Sequence, residues 1–179
     1  MKKLLIILVA LVCQNLDATN FYQQDMSKIA VKEAKKYRKE SWMEMPGAFP
    51  LEHQILEVLM KEQEMGSDGM PKYFLITVIA EDGNLDIAKS KAMEMAKMRI
   101  SSAIHTEVKS VAAATVGDTR AEFSSSSNTK AYNRIGAVIP TMECWRKRSA
   151  DSFEVMLTVL YEAVQANKIS DEINTNKYE

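Results

Sequence analysis

The residues with the clearest chemical potential form a methionine cluster, Met93-Glu94-Met95-Ala96-Lys97-Met98. Thioethers are soft ligands suited to Cu(I), an ion that an exported protein meets. Met43 and Met45 repeat the Met-x-Met spacing. Helix geometry works against such a site. Residues two apart diverge by about 200° at roughly 3.6 residues per turn, so Met93 and Met95 cannot grip one ion. Met95 and Met98 converge, but two thioethers make a poor site. Adaptable core filler is the better account of these methionines. Asp82-Gly83-Asn84-Leu85-Asp86 opens like a calcium loop. That loop needs Gly at its sixth position and an acid at its twelfth, where this chain has Ile87 and Met93. A turn and a helix cap account for the same residues. His53 and His105 each stand without a second His or Cys at metal spacing. There is no Gly-rich phosphate loop, nucleophile elbow or paired-Cys motif. The expectation is therefore no catalytic residue, no metal ligand set and no cofactor.

The remaining candidate for function is charge. The chain has 179 residues, with 23 Lys+Arg against 24 Asp+Glu. A formal net charge of -1 excludes wholesale electrostatic binding to nucleic acid but allows a local basic patch. Lys28, Lys32, Lys35, Lys36 and Lys39, with Arg38, form such a patch on one expected helix. They are the expected contact surface for anionic headgroups or an acidic partner. No Leu, Phe or Trp precedes Trp42 in this helix, so its apolar face is small and insertion would be weak. A solvated face balanced by Glu52, Glu57, Glu62 and Glu64 of the next helix is the better account of the same lysines.

The N-terminus reads as a targeting segment. Met1-Lys2-Lys3 is basic, and Leu4 to Val12 is an unbroken apolar run of nine residues. A membrane-spanning helix needs roughly 20 such residues, so the run matches the core of a secretory signal peptide instead. Residues 1–18 are the expected signal peptide, cut after Ala18. The alternative is lipidation at Cys13, where Ala10-Leu11-Val12-Cys13 has the Leu and Cys of a lipobox but Val12 at the position that prefers Gly, Ala or Ser. Either route places the protein in the periplasm or at the outer membrane. Cleavage leaves Cys144 without an intramolecular disulfide partner, and a buried apolar role is expected for it.

The elements follow from periodicity and breakers. Asp25 to Ser41 reads as a helix with Ala30, Ala34, Tyr37 and Ser41 on one face, stopped by Pro46-Gly47. Pro50 opens a second helix, Leu51 to Met65, with Gly66 as its left-handed terminator. Tyr73 to Ile79 reads as a central strand. Asn84 caps a third helix from Leu85 to about Ala114, some 45 Å long at roughly 1.5 Å per residue. Ala88, Ala92, Ala96, Ile100, Ile104, Val108 and Ala112 recur along it every fourth residue. Ser124 to Asn128 is too polar to bury and reads as a loop. Strands are expected over Ala137 to Lys147 and Phe153 to Tyr161, joined by a hairpin loop at Arg148 to Ser152. Pro140 places its strand at an edge or at a bulge.

This order, α-α-β-α-β-β, predicts an α+β fold with a long Ala-rich helix packed on a small antiparallel sheet. The expected divisions are the signal peptide, an N-terminal helix and linker over 19–50, an α+β domain over 51–166, and a fraying polar tail over 167–179.

Ala88 to Ile100, with its Ala spacing, resembles the long helix of the twenty-kilodalton bacterial envelope lipoprotein family. It is also similar to the N-terminal domain of flagellar assembly protein T. In both, an Ala-rich helix precedes a serine-containing loop and a β-hairpin, here Ser124 to Asn128 and Ala137 to Tyr161. Trp42 to Glu52 and Ile139 to Cys144 further resemble uncharacterised exported proteins of the Bacteroides type. The resemblance spans roughly Trp42 to Tyr161 and implies an envelope location and a non-catalytic role. The expected function is a non-enzymatic envelope protein that scaffolds or contacts another envelope component. The alternative is a periplasmic module that binds a small ligand or a soft metal.

Overall fold

The computed structural model describes residues 24–113, 129–136 and 138–175. The expected signal peptide, its Cys13 and the Ser124–Asn128 loop lie outside the described residues. Within them the fold is α+β, built on one four-stranded antiparallel sheet.

Helix α1 covers 24–39. Its end is set before the expected Pro46-Gly47. Ser41 takes a left-handed backbone, φ 67. The Trp42 N–H donates to the Tyr37 carbonyl at 2.9 Å and the Ser41 N–H to that of Arg38 at 3.1 Å. This closure satisfies carbonyls the helix end would leave orphaned, and it turns Trp42 inward. Strand β1 is Met43–Glu44. Helix α2 is Leu51–Glu62, with Pro50 just outside it as the N-cap. Pro50 has no side chain to cap with, and the Glu44 carboxylate accepts the Leu51 N–H at 3.1 Å instead. Gly66 does not end α2. The helix closes at Gln63 in an ordinary right-handed conformation, and the left-handed glycine of the following turn is Gly69, φ 75.

Strand β2 is Tyr73–Asp82 and helix α3 is Leu85–Ala113, 29 residues. The Asn84 side chain caps α3, accepting the Asp86 N–H at 2.8 Å and that of Ile87 at 3.2 Å. A short helix α4 covers 129–134. Strands β3 (Pro140–Ser149) and β4 (Ser152–Glu162) form a hairpin across Ala150 and Asp151, tighter than the loop expected at Arg148 to Ser152. Helix α5 is Ala163–Thr175. The expected order is thus corrected to α-β-α-β-α-α-β-β-α.

The sheet order is β1-β3-β4-β2. Two expectations change with it. β2 is an edge strand, not a central one. It pairs with β4 along its whole length, from Tyr73 opposite Glu162 to Asp82 opposite Phe153. β4 takes the centre. Its residues are buried in an unbroken run from Glu154 to Val159, because helices cover both faces. Second, the polar tail does not fray over its described part. Ala166, Ile169 and Ile173 recur at spacings of three and four, and their burial against the α3 side of the sheet makes 163–175 a helix. Pro140 behaves as its ring requires: the β3–β4 register shifts between Pro140 and Met142.

Two cores result. On one face, Ala88, Ala92, Ala96 and Ile100 of α3 lie on Val78, Val155, Leu157 and Val159, joined by Ile135, Ile169 and Ile173. On the other, Ala30, Ala34, Trp42, Leu51 and Ile55 lie on Met142, Cys144 and Met156. The molecule therefore has three layers, α1 and α2, the sheet, then α3 to α5.

Candidate functional site

The basic residues of α1 take the position that helical geometry dictates. Ala30 and Ala34 are fully buried against the sheet side, which fixes the opposite face outward. Lys28, Lys32, Lys35 and Lys39, at spacings of four, three and four, share that outer face, with Lys36 beside them. All five are exposed. Lys28 pairs with Asp25 at 3.0 Å and Lys36 with Glu33 at 2.5 Å, both one turn away on α1. Among the described residues no ion pair joins Lys32, Lys35 or Lys39 to an acid. The acidic second helix forms no ion pair with them, although Glu52 feels the charge of Lys35. Its one direct link to α1 is Glu52, which takes both guanidinium nitrogens of Arg38, while Glu44 accepts from Arg38 at 2.7 Å. The lysine stripe is left with its charge turned outward.

The Arg38 clamp has a pH signature. Hydrogen bonding from Arg38 holds the Glu52 carboxyl at about 2, against an ordinary 4.5. A carboxyl depressed in the folded state stabilises it fully above the unfolded value and loses that contribution as pH falls toward the folded one. The stability difference between the native chain and Arg38→Gln should therefore be constant above about pH 4.5 and vanish near pH 2. Both side chains are partly exposed, so the difference should be only about 1 kcal/mol. Urea titrations at stepped pH measure it, and a difference that persists undiminished at pH 2 contradicts the clamp.

The other candidates resolve into packing. Cys144 is fully buried among Trp42, Met142 and Met156. Burial pushes its thiol up to about 12, with Glu44 and Glu143 adding to the effect, so it is a thiol and not a nucleophile at neutral pH. His53 is exposed and stacks on Phe49, ring centroids 4.8 Å apart. The His105 side chain lies outside what the structure describes. Met45, Met142 and Met156 are buried, and Met93 and Met95 pack against the α3 core. Met98 is 61% exposed. Among the described residues no group of three or more His, Cys, Asp and Glu is placed to hold a metal.

One feature was not expected from the sequence. An apolar groove of about 520 Å³ runs between α3 and the free side of β2. Ala80, Ile87, Met95 and Met98 line it, with Ser90, Lys91 and Glu94 around them, and Ile79 and Glu81, whose face is the other one, border it along the strand edge. It brings Met95 and Met98 together but supplies no third soft donor, so it suits an apolar side chain better than Cu(I). Its signal in the sequence was slight: Ile87 and Met98 are large apolar residues that fall off the Ala stripe of α3.

No protein-family model matches the chain, and no curated protein or solved structure matches it. The two surfaces just described therefore carry any functional reading by their own chemistry. No described helix is long and apolar enough to cross a membrane.

Buried polar groups outside these surfaces have structural work. Glu154 lies under the α1 side of the sheet, bound at 2.5 Å by both Arg146 and Arg148. Burial raises its carboxyl, but the two guanidiniums outweigh that and hold it below the ordinary range. Gln54 donates to the Phe49 carbonyl at 2.5 Å and accepts the Glu143 N–H at 2.7 Å, tying α2 to β3. Such satisfied groups fix the layers and offer no reaction centre.

Proposed function

We propose that this chain is a non-enzymatic exported protein of the cell envelope that works by contact. Its basic α1 face docks on an anionic envelope surface, either membrane headgroups or an acidic protein. The observation that carries this reading is the exposed stripe of Lys32, Lys35 and Lys39, without ion-pair partners among the described residues and directly opposite the buried Ala30 and Ala34. The basic, apolar start of the chain and the resemblance to envelope lipoproteins support the location.

The physical basis is long-range attraction without insertion. Each lysine near an anionic surface is worth about 1 kcal/mol, and the attraction decays within a Debye length of about 8–10 Å. Ile29 and Val31 are partly exposed beside the stripe, but they are too few to anchor the helix in lipid. Binding should therefore be reversible and sensitive to salt.

Co-sedimentation with vesicles rich in anionic lipid, against zwitterionic vesicles, tests the lipid form. Binding should weaken on the order of 100-fold in the triple variant Lys32→Glu, Lys35→Glu, Lys39→Glu. These residues are exposed, so the fold should survive, which circular dichroism checks. Binding that ignores both salt and the triple variant would remove α1 as the docking face. Recovery of the native protein in the cytosolic fraction would remove the envelope reading altogether.

A further inference from the structure

We infer that β2 is a self-pairing edge: two copies of the chain join antiparallel through Tyr73–Asp82, about a two-fold axis at Thr77, into one continuous eight-stranded sheet. This rests on the edge and groove of β2 and is independent of the α1 face.

β2 offers ten residues of strand with no pairing on its outer side among the described residues. Its hydrogen-bonding phase can be read from two contacts. The Lys72 carbonyl accepts the Ala163 N–H at 2.9 Å, on the β4 side. The Thr77 carbonyl accepts from Arg99 Nη1 at 2.9 Å, and Arg99 reaches it from α3 over the open side. Residues an odd number apart on a strand point their backbone groups in opposite directions, so these two contacts agree. Tyr73, Leu75, Thr77, Ile79 and Glu81 thus present N–H and C=O outward. Long apolar edges of this kind template pairing with another strand.

Symmetry then restricts the register. A two-fold axis perpendicular to the sheet keeps each face on its own side, and directly opposed residues share a face. Only like-parity residues can meet. Centring the axis on Thr77 places Leu75 opposite Ile79 of the second copy, Phe74 opposite Ala80 and Tyr73 opposite Glu81. Each pairing removes an anomaly of the single chain. Leu75 and Ile79 are 41% and 46% exposed on the α2 side, where they would cover one another. Phe74 is 38% exposed on the α3 side, level with the groove that Ala80, Ile87, Met95 and Met98 form in the second copy. Glu81 has no cation partner among the described residues, only the Ser152 hydroxyl. Tyr73 carries Lys61 and Lys72 over its ring, at 5.4 and 5.1 Å, and the two share the single carboxylate of Glu64, which leaves one net positive charge to meet Glu81. A parallel arrangement would set acidic end on acidic end. The charge pattern of the strand therefore selects a second copy, antiparallel.

Arg99 opposes the pairing. Its hold on the Thr77 carbonyl must be released before the two Thr77 residues can exchange bonds, so it sets the strength of association.

Sedimentation equilibrium in a Cys13→Ser background tests this. A dimer is expected, and Ile79→Lys should raise its dissociation constant on the order of 100-fold, because symmetry introduces the desolvated charge twice. Position 79 is exposed in the single chain, so the variant should fold. Arg99→Ala should tighten the dimer. Thr77→Cys should form an intermolecular disulfide on mild oxidation, since hydrogen-bonded antiparallel pairs hold their Cα atoms about 5.5 Å apart. Cys144 is buried and does not compete. A monomer at all concentrations would overturn the proposal. So would association that is indifferent to Ile79→Lys, or a Thr77→Cys chain that stays uncrosslinked while associated.

Discussion

Trp42→Ala should destabilise the protein by about 3–5 kcal/mol, the range for removing a large aromatic residue from a packed core. Trp42 is 1% exposed and is the largest of the fully buried side chains. It joins α1 to the sheet: its N–H closes the helix end at Tyr37, and its ring meets the cluster of Cys144, Met142 and Met156. Arg146 lies over the ring, 4.4 Å from its centroid, and bonds Glu154 at 2.5 Å. Truncation therefore opens a cavity and also removes the surface that orients this guanidinium. Trp42→Phe, which refills most of the volume, should recover more than half of the loss. Trp145 remains in both variants as a fluorescent reporter for urea unfolding. A loss below about 1 kcal/mol would mean that α1 does not seal this face of the sheet.

That second face marks the boundary of what the sequence made legible. Phe153, Val155, Leu157, Val159 and Tyr161 alternate, and the face they define carries α3. The intervening residues are Glu154, Met156, Thr158 and Leu160, and the two polar ones, Glu154 and Thr158, signal solvent. Yet Glu154 and Thr158 are buried. Partners on the neighbouring strands satisfy them: Arg146 and Arg148 bind Glu154 across the β3–β4 hairpin, and Thr158 shares a hydrogen bond of 2.9 Å with the distant Thr77. Hydrophobic alternation reports the first covering layer and misses a second one that works through paired polar groups. α5 was missed for a related reason. Its three buried positions sit in an otherwise polar segment, too sparse a stripe to outweigh the composition.

β2 shows the opposite error. Its run of Phe, Leu, Ile, Val and Ile reads as a strand buried on both sides. The structure places it at the edge, where several of these residues are exposed. An apolar run has two explanations, coverage by this chain or coverage by another, and the sequence does not separate them. The basic face of α1 was legible because spacing alone sets it: the buried Ala30 and Ala34 orient the helix, and the lysines follow. That Lys32, Lys35 and Lys39 form no ion pair among the described residues was not legible, because it depends on where α2 lies.

Ala92→Leu should cost about 1–3 kcal/mol or more, although leucine forms helices nearly as well as alanine. The cost arises in packing. Ala88, Ala92 and Ala96 have no exposed surface, and they face Val78, Val155 and Leu157, which are buried to the same degree. Small side chains let the helix axis approach the strands closely, and a leucine at position 92 must push them apart or leave its preferred rotamer. The approach is fixed at both ends. Lys91 pairs with Asp82 on the β2 side, and Lys89 reaches Glu143 of β3 at 2.5 Å on the other. A shift of α3 away from the sheet would strain both bridges and withdraw Arg99 from Thr77. The substitution should therefore also change the β2 edge, tightening any association that Arg99 restrains. Ala103→Leu is the control, because Ala103 is exposed on the same helix and the change there should stay within about 0.5 kcal/mol. Equal effects at the two positions, read from urea midpoints at unchanged slope, would contradict close packing of α3 on the sheet.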